Sequence, residues 1–240
     1  MTIAPDQLRR PRDLSQIVDG AISVYRHNFG ELLAISAVSL PGHLVIAIAS
    51  IAISDRVTEI VVTSLLYIPM IGLGMVASAA IVRAIGDIDE GLPADFYRAY
   101  RQVFARLGAL LLALLRVMGI TLLLFITIVG IPFAIYLWIR WAFTTQAVVI
   151  EGTNSRDALS LSADIVEGSW WRTFGILLVV GLLVAIPSGV PGMILGLVSY
   201  EASALANSVM SVIVTPFAVS ASTLLFFDLS SREKQRVSIA

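Results

Sequence analysis

Six stretches of this chain are apolar over the length a helix needs to cross a bilayer. Crossing the hydrocarbon core takes about 20 mostly apolar residues, and 31–53, 60–84, 108–129, 132–150, 174–195 and 203–227 qualify. In lipid every backbone polar group must be satisfied within the segment, so stretches of this kind fold as helices. Composition agrees. Of 240 residues, 58% are hydrophobic and 14% charged, whereas a soluble domain carries about 25% charged residues. A soluble fold would have to expose large apolar patches. The expected fold is all-α, a polytopic helical bundle of about six transmembrane helices. It forms one integral membrane domain over 1–240, with a cytoplasmic segment at 1–30, the bundle at 31–229 and a cytoplasmic tail at 230–240.

Basic residues give the bundle a side, because cytoplasmic loops retain Lys and Arg. Arg9, Arg10, Arg12 and Arg26 precede the first span, and Arg98, Arg101 and Arg106 lie between the second and third. Arg156 and Arg172 lie between the fourth and fifth, and Arg232, Lys234 and Arg236 follow the sixth. The intervening connections hold only Arg56. Every basic cluster therefore falls on one side, and both termini are expected in the cytoplasm. Asp6, Arg9, Arg10, Arg12 and Asp13 make the opening too polar for a cleavable signal peptide. The first span is expected to act as the insertion signal. Within the fifth span Pro187 and Pro191 predict a broken or re-entrant outer end, and Pro216 predicts a kink in the sixth.

Three cytoplasmic segments follow one pattern: 17–30, 96–108 and 158–175. Each has apolar residues at helical spacing, then aromatics and Arg, then Gly, then a span. The pattern predicts three amphipathic interfacial helices on the inner leaflet, each leading into two spans, a threefold internal repeat. The expected interfacial anchors are Tyr25, Arg26, Tyr97, Arg101, Trp170, Trp171 and Arg172, with rings at headgroup depth and Arg on lipid phosphates. Gly30, Gly108 and Gly175 are the expected bends into the membrane.

Several segments resemble the family named for the membrane domain of glycerophosphoryl diester phosphodiesterase, found in bacteria and archaea. The resemblance is carried by Leu14-Ser15-Gln16-Ile17-Val18-Asp19-Gly20 through Tyr25-Arg26-His27-Asn28-Phe29. It continues in Val148-Val149-Ile150-Glu151-Gly152, Ala158-Leu159-Ser160-Leu161-Ser162 and Gly168-Ser169-Trp170-Trp171-Arg172. It ends with Leu224-Leu225-Phe226-Phe227-Asp228-Leu229 and Arg232-Glu233. At two points where the family often has Arg, this chain has Leu161 and Ser230. The resemblance implies a membrane fold in a prokaryotic cytoplasmic membrane and no catalysis, since the phosphodiesterase chemistry of full-length enzymes belongs to a separate soluble domain.

Most chemistry is excluded by what the chain lacks. There is no cysteine, so no disulfide, thiol nucleophile or zinc–thiolate site. A net charge of −1 leaves no footprint for nucleic acid. His27 and His43 are the only histidines and are not at metal-ligand spacing, so no metal and no cofactor is expected. His43 is read as a helix-packing hydrogen bonder ahead of a proton relay, and Asn207 and Ser208 as interhelical hydrogen bonders ahead of cavity groups. Gly192 and Gly196 form a GxxxG, a weak signal for a dimerisation face.

Arg116 and Arg140 stand at similar depth on the two arms of one hairpin. A central Arg costs at least about 2.5–3.5 kcal/mol on insertion scales. The first reading pairs them with Glu31, Glu151 or Asp228; the second places a lipid phosphate or anionic solute between them. The leading functional expectation is a non-enzymatic scaffolding, accessory or lipid-organising membrane protein, its partners the lipid bilayer and anionic lipids. The alternative is a small transporter or lipid-handling protein with an inward-facing anion site at Arg116 and Arg140. An intramembrane enzyme comes last, because no acids or histidines converge at one depth in the sequence.

Overall fold

The computed structural model describes residues 8–239, and every regular element among them is helical. The order is α1 (Leu14–His27), α2 (Phe29–Ala37), α3 (Leu40–Ala52), α4 (Arg56–Asp89), α5 (Phe96–Ala105) and α6 (Leu107–Phe125). Then come α7 (Gly130–Arg140), α8 (Thr144–Val149), α9 (Ser155–Val166), α10 (Trp170–Gly196) and α11 (Tyr200–Ile239). Among the described residues, α4, α6, α10 and α11 are long and apolar enough to cross a membrane. A fifth crossing results if α2 and α3, bent by 47° at their junction, count as one span.

The stretch 132–150, expected as the fourth span, is divided. Its first part is α7 and its last part is the buried six-residue α8. Ser162 of α9 closes the break from both sides. Its hydroxyl donates to the Arg140 carbonyl at 2.8 Å and accepts from the Phe143 N–H at 3.1 Å. A helix interrupted in the interior leaves N–H and C=O groups that must find partners, and one buried serine from another element supplies both here. Hydropathy has no term for such a partner.

Of the two proline-bearing spans, the fifth differs from expectation. α10 runs through Pro187 and Pro191 as one helix rather than a re-entrant segment. α11 runs through Pro216. Proline lacks the N–H that would bond four residues back, so Pro216 frees the Val212 carbonyl. The Ser36 hydroxyl of α2 donates to it at 2.8 Å, and the Tyr25 hydroxyl of α1 donates to the next carbonyl, Ile213, at 2.8 Å. Membrane helices tolerate proline where neighbouring side chains satisfy the freed groups.

The three segments of like pattern all give a helix, a break and a second helix, and the second is the longer in the latter two. The breaks are at Asn28, at Arg106 and at Glu167–Ser169. Gly30, Gly108 and Gly175 lie inside α2, α6 and α10 and are not the bends. The apolar faces of the leading helices are turned onto the protein rather than laid into lipid. Ile17, Ala21 and Val24 of α1 are buried, as are Ala99, Tyr100 and Val103 of α5 and Ala158, Ile165 and Val166 of α9. Asp13 starts α1 with a capping box, accepting from the Gln16 N–H at 3.1 Å while the Gln16 side chain accepts from the Asp13 N–H at 3.3 Å.

The core sits toward one end. In α4 the first buried residue is Met70, and burial is dense only from Val76 to Asp89. In α11 it is densest over 220–229. At that end the chain returns from three excursions: Arg9 meets Asp89 and Glu151, and Arg12 meets Asp228 beside Arg172. This is called the arginine end below. The opposite end holds the start of α4 and the junction of α10 with α11.

Candidate functional site

The arginine end is a lattice of ion pairs around Asp87, Asp89, Glu151 and Asp228, with Glu90 joined to it through Arg83 at 3.0 Å. Asp228 is fully buried, binds Arg172 at 2.5 Å and Arg232 at 2.8 Å, and accepts from the Arg12 main-chain N–H at 2.6 Å. Arg172 also donates to the Arg12 carbonyl at 2.5 Å. Asp87, likewise fully buried, pairs with Arg83 and, at 2.9 Å, with Arg98. Arg9 bridges Asp89 at 2.8 Å and Glu151 at 3.2 Å and lies 5.0 Å over the Phe227 ring. Burial works against the Arg9 charge, and the bond to Asp89 with the pull of Glu151 outweighs it, so its pKa is raised. The stretch from Leu8 to Asp13 thus straps α4, α10 and α11 together. Beside it, Gly152 has a φ of +72°, which favours glycine, and its carbonyl accepts from Arg106 at 2.7 Å. That accounts for glycine in the Glu151-Gly152 pair.

The expected anchors divide into two groups. Tyr25 and Trp170 point inward, as does Tyr100 of α5 outside that set, and the three donate to main-chain carbonyls of other helices: Ile213 from Tyr25 at 2.8 Å, Tyr136 from Trp170 at 3.2 Å and Ile35 from Tyr100 at 2.8 Å. Burial pushes both phenols up, Tyr100 to about 12, so each keeps its proton for this bond. Arg172 is engaged by Asp228 as described. Arg26, Tyr97, Arg101 and Trp171 remain on the surface, Tyr97 81% and Trp171 78% exposed.

Arg116 and Arg140 reach opposite ends of α9. Arg116 donates to the Ser155 hydroxyl at 2.5 Å, and Arg140 pairs with Glu167 at 3.7 Å. Twelve residues of separation put those ends roughly 18 Å apart. The partner carboxylates expected for them are elsewhere: Glu151 and Asp228 serve Arg9, Arg172 and Arg232.

What the fold does bring together lies at the opposite end. A cavity of about 290 Å³ between α3, α4 and α11 is lined by His43, Glu59, Thr63, Tyr67, Asn207 and Ser208, among others. Along the chain His43, Asn207 and Ser208 stand out only singly, and Glu59 does not stand out at all. Three helical stripes meet here. Glu59, Thr63 and Tyr67 stand at i, i+4 and i+8 on α4, one face of a helix. Asp55 starts that helix by accepting from the Thr58 N–H at 2.8 Å, which sets Glu59 in its first turn. The 59–63–67 periodicity of polar groups inside an apolar span is the signal in the sequence that marks this wall. A second cavity of about 250 Å³ shares His43 and Tyr67 and continues past Ser39 and Ser78 to Thr215. From Arg56 to Tyr67 is about 16 Å along the helix, roughly half of a hydrocarbon core.

The α2–α3 break borders this path at Ser39, and His43 bonds the Ser39 carbonyl through Nδ1 at 2.9 Å. Gly192 of α10 closes the wall behind Asn207. A Cβ on it would stand 2.0 Å from Asn207 Oδ1, so only glycine permits this approach. Gly196 faces Ser203 of α11 with room for a Cβ at ordinary contact distance, 3.5 Å from Oγ. The GxxxG pair therefore serves α10–α11 packing within one chain. No group of three or more potential metal-ligating side chains occurs among the described residues.

No family model, curated protein or solved structure matches this chain, so its site is read from its own geometry.

Proposed function

We propose that this chain is a non-enzymatic multi-pass protein of a prokaryotic cytoplasmic membrane that binds and moves a small polar ligand through the cavity between α3, α4 and α11. The observation that carries this reading is an ionisable pair, Glu59 and His43, on one polar cavity inside an apolar bundle. His43 lies within an apolar span, where an ionisable group is costly and by default marks a pathway, and Glu59 stands at the mouth in the first turn of α4. A discontinuous helix beside the path, as at the α2–α3 junction, is a common device of transporters. A scaffold without a site would leave this cavity without a role. An anion site at Arg116 and Arg140 loses its geometric support, since the two side chains reach different ends of α9.

The same proposal puts the arginine end in the cytoplasm, with six crossings, the fourth of them made by α7 and α8 across their break. What supports it is that α4 ends there at Asp89, that Arg106 meets Gly152 beside Glu151, and that Arg172 meets Asp228, so 107–151 and 172–228 each leave and return at the arginine end. The threefold unit and the family resemblance belong to this reading as well. The residues that carry the resemblance, including Glu151, Arg172, Asp228 and Arg232, gather at that end. Exposed Tyr97, Arg101 and Trp171 are its lipid-headgroup contacts.

Two cysteine experiments test it on a chain that has none. Cysteines at Ser54 and Lys234, in cells, are expected to react from opposite sides of the membrane. Reaction from the same side would overturn the even-span topology. For the cavity, Thr63→Cys and Leu65→Cys sit two residues apart, Thr63 on the cavity and Leu65 60% exposed on the apolar surface. A water-soluble maleimide added from outside is expected to modify the first and spare the second. An inert Thr63 cysteine would remove the cavity as a path.

A further inference from the structure

Resting on the reading that this cavity holds a ligand, we infer that its ligand carries a protonated amine, either free or on a lipid headgroup. The polarity of the lining hydrogen bonds leads there. The Ser50 hydroxyl already donates to the Ala47 carbonyl at 2.8 Å, Thr63 to Glu59 at 2.7 Å and Ser208 to Ala204 at 2.8 Å. Along the continuing cavity Ser39 donates to Ser36 at 2.8 Å and Thr215 to Ser211 at 2.6 Å. A hydroxyl has one proton, so each of these faces the open space with lone pairs alone. His43 gives its Nδ1 proton to a carbonyl, which can only accept, leaving Nε2 as the ring's acceptor in the neutral form.

Glu59 adds a carboxylate, which accepts and carries charge. Its cationic neighbour Arg56 lies 3.1 Å away, but the Arg56 side chain is 80% exposed while that of Glu59 is 14% exposed. Arg56 bonds Glu59 Oε2 from the solvent side, where water screens the guanidinium and weakens what it offsets of the carboxylate's charge. A phosphate or carboxylate entering beside Glu59 would meet a negative charge and the lone pairs of Ser50, Thr63 and Ser208. An ammonium group would meet acceptors for its N–H bonds and one opposite charge. The Tyr67 and Tyr200 rings on the wall are favourable surroundings for a cation. A divalent metal lacks a ligand shell here, since no cluster of three suitable side chains exists among the described residues. Asn207, Ser203 and the two tyrosine hydroxyls keep protons to give, which suits an acceptor atom placed near the amine. The ligand class is a small amino alcohol or an aminoalkyl headgroup.

The Thr63→Cys chain, reconstituted in nanodiscs of phosphatidylglycerol, provides the test. Labelling by maleimide is followed with ethanolamine, ethylene glycol or glycolate present, three two-carbon probes that differ in charge. Ethanolamine alone is expected to slow labelling. Glu59→Gln should raise the concentration required by about tenfold or more, the effect of some 1.4 kcal/mol, and Glu59→Asp should restore protection. Nanodiscs of phosphatidylethanolamine with no added probe separate the sources. Slower labelling there supports the proposal with the headgroup as ligand, and unchanged labelling alongside protection by ethanolamine supports it with a free amine. Equal protection by glycol or glycolate, indifference to Glu59→Gln, or labelling that no probe slows would each overturn the amine assignment while the accessible cavity stands. A cysteine that never labels would overturn the cavity reading itself.

Discussion

Asp228→Asn is expected to lower the protein's stability by about 3–5 kcal/mol, the usual consequence of removing one partner from a buried ion pair. The carboxylate is fully buried and meets Arg172, Arg232 and the Arg12 N–H at once. Asparagine retains an acceptor for the N–H but removes the charge opposing two guanidiniums. What remains is a partly buried Arg172, 29% exposed, without its counter-ion. Thermal unfolding in detergent, followed by tryptophan fluorescence, reads the change directly, because Trp170 and Trp171 precede Arg172 at the start of α10. Leu123→Ala, on a side chain 70% exposed to the surroundings of the bundle, is the matched control and should change little. A double substitution, Arg172→Gln with Asp228→Asn, should recover part of the loss by removing the stranded charge. If Asp228→Asn unfolds with the control, the strap is not what holds this end.

Gly192→Val is expected to separate α10 from α11 or drive Asn207 into the cavity. Overpacking of this kind costs about 1–3 kcal/mol, occasionally more. Even the first carbon of a side chain would stand 2.0 Å from Asn207 Oδ1 and 2.6 Å from its Cγ. Branching at that carbon removes the escape of a rotated side chain. The two outcomes are read separately: unfolding temperature reports helix separation, and maleimide labelling of Thr63→Cys reports a filled cavity. Gly181 on the same helix has nothing within 4 Å of an added Cβ, so Gly181→Ala should move neither. If Gly192→Val leaves both readouts at their starting values, the close approach of α10 to Asn207 does not exist in the membrane.

Much of the charged end is legible in the residues themselves. Arg9, Arg12, Arg98, Arg172 and Arg232, which set the expected topology, do gather at one end. Arg232 and Asp228 stand four apart on one helix, but the partners of Arg9, Arg12 and Arg172 are not legible, because Asp89, Glu151 and Asp228 come from segments far from them in the chain. The candidate site is a different case. His43, Asn207 and Ser208 each read as an ordinary helix-packing group, and only the meeting of α3, α4 and α11 makes them one wall. Glu59 sits in the first turn of a long helix, where an acid reads as a favourable dipole partner. Arg116 and Arg140 stand out by their depth along the chain, which does not say in which direction a long side chain extends.

That this chain is helical and suited to a membrane follows from its residues in order. Runs of apolar residues in lipid leave the backbone no other partner than itself, and that constraint is local. Where those helices stop and what they enclose is set by contacts between them. The stretch 132–150 breaks because Ser162 offers a donor and an acceptor at one point, and α11 passes Pro216 because Ser36 reaches the freed Val212 carbonyl, with Tyr25 on the next. Each such outcome is a hydrogen bond between residues remote in the chain, and hydropathy along the chain carries no record of it.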